Sequence, residues 1–131
     1  MTIDDQVLIK LATAAREKAY APYSRFRVGA ALLAKSGKVY TGCNVENASY
    51  GLTVCAERVA LFRAVAEGER EFEAIAIVTE KGVSPCGACR QVLREFGRGL
   101  RVIVADTRGN RREYTLAELL PDDFKPEDLQ S

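Results

Sequence analysis

The chain has 131 residues, a length suited to one domain that buries about two thirds of its unfolded surface and needs no disulfide staples. Its formal charge is +1, from 19 basic and 18 acidic side chains, a balance that excludes a strong pull toward nucleic acid or an anionic membrane. It contains no histidine, which removes every serine–histidine or cysteine–histidine nucleophile and every histidine-dependent metal site, and leaves cysteine and carboxylate to do any chemistry.

The start, Met1-Thr2-Ile3-Asp4-Asp5, lacks the basic and then apolar regions of a signal peptide. The longest apolar stretch, Val28 to Ala34, is interrupted by Gly29 and is far short of the ~20 residues that span a bilayer. The expectation is a cytoplasmic protein with no membrane partner, whose cysteines stay reduced and serve as ligands rather than bridges. Residues 1–131 read as a single domain, with no linker, repeat or low-complexity tract.

In chain order, Val7, Leu8, Leu11, Ala14, Ala15 and Ala19 recur at helical spacing, which predicts an amphipathic helix ending near Ala21-Pro22. Arg27 to Ala34 and Val39 to Cys43 flank Lys35-Ser36-Gly37-Lys38 and read as two antiparallel strands joined by a tight turn. The first of these is apolar enough to be buried on both sides. A helix follows over about Cys55 to Glu67, mostly buried and stopped by Gly68. Ala74 to Val78 is a β-branched run, Cys86 to Phe96 a second helix ended by Gly97, and Arg101 to Ala105 a strand. Thr107-Arg108-Gly109-Asn110 turns into a last strand, Arg111 to Tyr114. This order predicts a three-layer α/β/α sandwich around a mixed sheet of about five strands, with a ligand gathered where strand ends meet helix starts.

Two motifs carry chemistry: Cys55-Ala56-Glu57-Arg58, and Pro85-Cys86-Gly87-Ala88-Cys89. Three thiolates plus a carboxylate that need not ligate form the composition of an open, catalytic zinc site. Cys86 and Cys89 at a helix start lie one turn apart on one face, and Pro85 tolerates the lost amide donor at such a start. Cys55 at a helix N-terminus gains from the dipole, which favours the thiolate. Three thiolates leave a net negative cluster around a divalent ion, and Arg58 is the residue placed to offset it. Glu57 is placed as a proton shuttle beside the metal.

These two motifs, with Tyr20-Ala21-Pro22-Tyr23-Ser24-Arg25-Phe26, Gly42-Cys43-Asn44-Val45-Glu46-Asn47, Arg90-Gln91, Leu119-Leu120-Pro121 and Phe124, resemble the cytidine deaminases. The likeness is to the short, homotetrameric branch that uses three cysteines, and it spans nearly the whole chain. Several blocks in order are far more specific than a lone C-x-x-C. The resemblance implies hydrolytic deamination of cytidine and deoxycytidine to their uridine counterparts, with ammonia released, as part of pyrimidine salvage. It implies one zinc ion per subunit on Cys55, Cys86 and Cys89, with Glu57 moving protons to N3 and to the departing amine. It implies that Asn44 and Glu46 bind ribose, that Phe26 packs on the base, that Ala56 and Cys89 contribute backbone, and that Tyr50 lies near the sugar. It implies too that Phe124 reaches from a neighbouring subunit to stack on the pyrimidine, in a homotetramer with sites at its interfaces.

Taken without the family, Asn44 and Glu46 fit an ordinary turn after a strand equally well, and Phe26 fits plain core. Cys43 raises a competing possibility, a closed four-cysteine structural site, although its spacing from Cys55 matches no common ligand pair. Arg90, Arg94 and Arg98, at four-residue spacing, read as a nucleic-acid track or as an ordinary polar helix face. Near-neutral charge and the lack of interleaved aromatics favour the second, hence no nucleic-acid partner. A blasticidin S deaminase-like enzyme is the alternative within the same chemistry, and a non-catalytic zinc-stabilised module the alternative outside it. By the same resemblance, the connection Thr79-Glu80-Lys81-Gly82-Val83-Ser84 is shorter than in some relatives, which bears on the pocket rim or on a subunit contact.

Overall fold

The computed structural model describes residues 3–129; the first two residues of the segment read above for a leader lie outside them. A five-stranded sheet has the order β2-β1-β3-β4-β5, built from β1 (Gly29–Ala34), β2 (Val39–Cys43), β3 (Phe72–Val78), β4 (Arg101–Ala105) and β5 (Arg111–Thr115). Three helices cover it: α1 (Asp5–Arg16), α2 (Ala56–Ala66) and α3 (Gly87–Arg94), with a fourth short one, α4 (Leu116–Leu119). β1 pairs antiparallel with both β2 and β3, β3 pairs parallel with β4, and β4 pairs antiparallel with β5. The sheet is therefore mixed, and the fold is an α/β fold of three layers.

Strand alternation divides the side chains between two cores. Ala30, Leu32, Ile75, Ile77, Val102 and Val104 face the layer of α2 and α3, where they meet Ala60, Leu61, Ala64 and Leu93. Ala31, Leu33, Ala74, Ala76, Val78 and Ile103 face α1, where they meet Leu8 and Ala12. The α1 face is rich in alanine, so the helix lies close to the strands. A Cβ on Gly29 would stand 2.0 Å from the Ala12 carbonyl.

β1 is buried along its whole length, as an unbroken apolar run requires. α1 ends at Arg16 rather than near Pro22, and Ala19 lies outside it. Its buried face is Leu8, Ala12 and Ala15, while Val7 and Leu11 stay exposed, because the sheet accepts only a narrow stripe. α2 buries Ala56, Glu57, Ala60, Leu61 and Ala64 but leaves Phe62 half exposed, so the helix expected to be mostly buried keeps one open face. Gly68, at φ +98°, closes it in the left-handed conformation that glycine adopts without penalty.

The contact that fixes α2 on the sheet is backbone to backbone. A Cβ built on Gly42 of β2 would lie 2.5 Å from both the Ala56 carbonyl and the Ala60 amide. Substituting Gly42→Ala must push α2 away, and overpacking of this kind costs about 1–3 kcal/mol. A urea titration of that variant is expected to show a lower midpoint at unchanged slope.

Candidate active site

β2 and β3 flank β1 and run parallel to one another, so their C-terminal ends lie at one edge of the sheet: Gly29 pairs with both Cys43 and Val78. The chain leaves each of those ends and enters a helix, α2 after β2 and α3 after β3. Cys55 is the N-cap of α2 and Cys86 the N-cap of α3, with Cys89 in the first turn of α3. Pro85 stands one residue before the N-cap instead of at the first helical position, and its carbonyl accepts a hydrogen bond from Arg90 Nε at 2.9 Å.

The three thiols meet. Their sulfurs all lie within 4.8 Å of one another, with Cys55 Sγ to Cys86 Sγ at 3.8 Å and Cys86 Sγ to Cys89 Sγ at 3.3 Å. Zinc–sulfur bonds of about 2.3 Å in a tetrahedral site put sulfurs roughly 3.8 Å apart, so the cluster fits a zinc ion in both donor type and spacing. Cys89 is buried, and Cys55 and Cys86 line the adjoining cavity. Three protein donors leave one position of a four-coordinate ion free for a non-protein ligand. Cys43 is not part of the cluster; it lines a separate groove between α1 and α2 with Leu11, Val59 and Arg63.

Charge is arranged to keep thiolate in the cluster. Arg58 Nη2 donates to Cys55 Sγ at 3.4 Å. A hydrogen bond from Cys89, helped by those from Arg58 and Cys86, lowers the Cys55 pKa to about 5 against its desolvation. The same coupling pushes Cys89 up, since it is the donor in that bond and is buried. Arg58 Nε is buried without a hydrogen-bond partner, and the side-chain bond that the guanidinium makes is to the Cys55 sulfur.

Glu57 is 4% exposed and lines a cavity of about 230 Å³ with Cys55, Cys86, Phe26, Asn44 and Glu46. Burial raises its pKa to about 7, with the Cys55 charge adding to the rise and Arg58 opposing it. A carboxyl so placed can both take and give a proton near neutral pH.

The other expected residues divide into two groups. Phe26, Asn44 and Glu46 line the cavity. Asn44 Oδ1 accepts from the Val28 amide at 2.9 Å, and its Nδ2 donates to the Phe26 carbonyl at 2.7 Å, so the amide holds the loop that carries Phe26. One donor and one acceptor site remain on it. Glu46 accepts from the Tyr23 and Ser24 amides at 2.9 and 3.1 Å and from the Ser24 hydroxyl; the Ser24 hydroxyl bond is the largest cause holding its carboxyl below the usual range. Ala56 is fully buried beside the thiols. Tyr50 and Phe124 do not line this cavity: Tyr50 is exposed and packs edge-on to Tyr23 at 6.0 Å, and Phe124 is exposed on the C-terminal segment.

Thr79 is a cavity residue that the sequence reading passes over. It is buried, and its hydroxyl accepts from the Gly82 and Val83 amides at 2.8 and 2.9 Å, while Gly82 turns at φ +73°. One side chain thus supplies the turn in the connection to α3. A threonine three residues before a glycine is the signal that could have found it.

Residues 2–105 match the family described as the cytidine and deoxycytidylate deaminase zinc-binding region. A cytidine deaminase from Halalkalibacterium halodurans is 55% identical over 130 residues, covering 97% of this chain and 98% of the relative. One from Sporosarcina psychrophila is 53% identical, covering 97% and 96%. The crystal structure of cytidine deaminase from Burkholderia pseudomallei superposes with a TM-score of 0.91 at 55% identity, covering 93% of this chain and all of that one.

The cluster yields a direct test. Cys43→Ser is expected to retain one equivalent of zinc per chain by elemental analysis, whereas Cys89→Ser falls well below one, since a buried ligand of a three-thiolate set has no substitute.

Proposed function

The chain belongs to the cytidine and deoxycytidylate deaminases with a zinc-binding region, and from that premise we infer that it hydrolyses cytidine and deoxycytidine to uridine and deoxyuridine, releasing ammonia. The observation that carries the reading is a buried carboxyl, Glu57, in the same cavity as a three-thiol cluster of zinc-like spacing. Cys55, Cys86 and Cys89 hold one zinc ion per subunit. When bound, the ion supplies Lewis acidity that makes water a nucleophile near neutral pH.

The chain's own residues do the rest. Glu57 takes the proton released by the attacking water and passes it to ring N3. As the C4–N bond breaks it takes the remaining proton from the hydroxyl added at C4 and delivers it to the amino group, which leaves as ammonia while C4 becomes a carbonyl carbon. Its raised pKa suits this two-way traffic. Arg58 offsets the negative charge of three thiolates, and so preserves the acidity of the ion. Phe26 packs on the base, and the Ala56 and Cys89 backbone lies beside the reacting ring. Asn44 meets a sugar hydroxyl through its remaining donor and acceptor, and Glu46 through the carboxylate oxygen that only Ser24 occupies.

The reading includes a homotetramer with a site between subunits. Phe26, Tyr50, Leu52, Phe62 and Phe124 are large apolar side chains left exposed, and exposure on that scale favours burial against further copies. Tyr50 then lies near the sugar, and Phe124 enters a neighbour's cavity to stack on the pyrimidine. Cytoplasmic location and a part in pyrimidine salvage belong to the same reading, supported by thiols that must stay reduced to hold the ion. Among the described residues, no helix is long and apolar enough to cross a membrane.

Glu57→Gln keeps size and shape and removes the proton carrier. It is expected to bind a full equivalent of zinc yet lose roughly 10²- to 10⁴-fold in kcat, the usual worth of a general acid–base. The ultraviolet absorbance change on cytidine, run beside wild type, measures it; near-normal turnover would remove Glu57 from this role.

A further inference from the structure

Arg90 and Arg94, at four-residue spacing on α3, are turned inward, while Arg98 beyond the helix is exposed. Arg90 Nη1 donates to the Leu119 carbonyl at 2.8 Å while its Nε holds the Pro85 carbonyl. Arg94 is ion-paired with Asp123, whose side chain is 1% exposed. Arg98 and Lys125 approach the same carboxylate at 3.6 Å each. A carboxylate buried among three cations is costly to assemble, and it stands in a tail whose neighbouring residues are largely exposed.

The next residue is Phe124. Gln91 Nε2 donates to its carbonyl at 2.9 Å, so its backbone is tied on both sides to α3, yet 55% of the residue is exposed. The chain thus fixes the base of an aromatic ring and leaves the ring open. The fixing residues, Gln91 and Arg94, sit on the helix that Cys86 caps and whose first turn carries Cys89.

We propose that Asp123, held by Arg94, is a positioning residue that aims the Phe124 ring at the nucleoside site of a neighbouring subunit. The inference rests on the reading above, in which Phe124 stacks on the pyrimidine bound next door. Through this clamp the ring offered to the neighbour is set in place by the donor subunit's own metal-bearing helix.

The test compares Asp123→Asn, Phe124→Ala, the double variant and Arg94→Gln as zinc-loaded, full-length enzymes. Phe124→Ala is expected to raise KM for cytidine roughly 5- to 150-fold, the range for losing one base–aromatic stack. Asp123→Asn should raise KM in the same direction with kcat near wild type, and Arg94→Gln should reproduce it from the other side of the pair. The double variant should be no worse than Phe124→Ala alone, because a residue acting only through the ring has nothing left to position. Asp123→Glu, which keeps the charge, should recover most of the affinity.

A folded Asp123→Asn enzyme with wild-type KM, or one whose defect adds fully to that of Phe124→Ala, overturns the proposal and leaves the role of Phe124 standing. Unchanged KM in Phe124→Ala itself overturns both. Should Asp123→Asn not fold, Arg94→Gln carries the same comparison.

Discussion

Three sulfurs can share one cation only if the segments carrying them end at one point, and here the antiparallel pairing of β1 with both its neighbours brings that about. It makes β2 and β3 parallel across the strand between them, with Cys43 and Val78 opposite the same Gly29. Each chain segment leaving that edge turns back over the same face as a helix, and each helix begins with a cysteine as its cap. The site sits where two dipoles point their positive ends at sulfur. A metal cluster bearing excess negative charge is thus met by partial positive charge from the fold before any side chain is counted.

Close backbone approach makes this convergence tight. Gly42 brings α2 against β2 at Ala56 and Ala60, the turn that holds Glu57. The same packing that seats the helix therefore buries the carboxyl, and burial is the leading cause of its raised pKa. Fold stability and proton chemistry share one contact here, which is why a glycine on a strand, remote in sequence from Glu57, matters to its environment.

Much of this was legible in residues alone. β2 and β4 were read with the boundaries they have, and the starts of both cysteine helices were placed within a residue, because Cys55, Cys86 and the apolar periodicity mark them locally. What escaped depends on long-range pairing. The inward turn of Arg90 and Arg94 is decided by Leu119 and Asp123, about thirty positions away in sequence, and no helical periodicity records such partners. α4 was missed because four residues make too short a periodic signal; what specifies it is a capping box, Thr115 with Glu118, at its start. The helical spacing predicts too long an α1 because Ala19 continues the pattern past Arg16, whereas the buried face of the helix is Leu8, Ala12 and Ala15.

Asn44 and Glu46 line the cavity while holding a loop beside it, which bears on how the pocket would recognise a sugar under the proposed function. Both side chains already hold the loop from Tyr23 to Val28, and that loop contains Arg25, a non-glycine residue at φ 60°. A backbone in that sparsely populated region persists only where its surroundings over-determine it, and these hydrogen bonds lie on either side of it. Polar groups fixed in this way lose little freedom when a ligand arrives, so the ordering cost of binding is reduced before the ligand is present. They also have few free valences, which limits what they accept: a hydroxyl that can both donate and accept suits the donor and acceptor left on Asn44. Holding the loop and, in the proposed reading, meeting a sugar are compatible uses of the same side chains, which the residues alone could not separate.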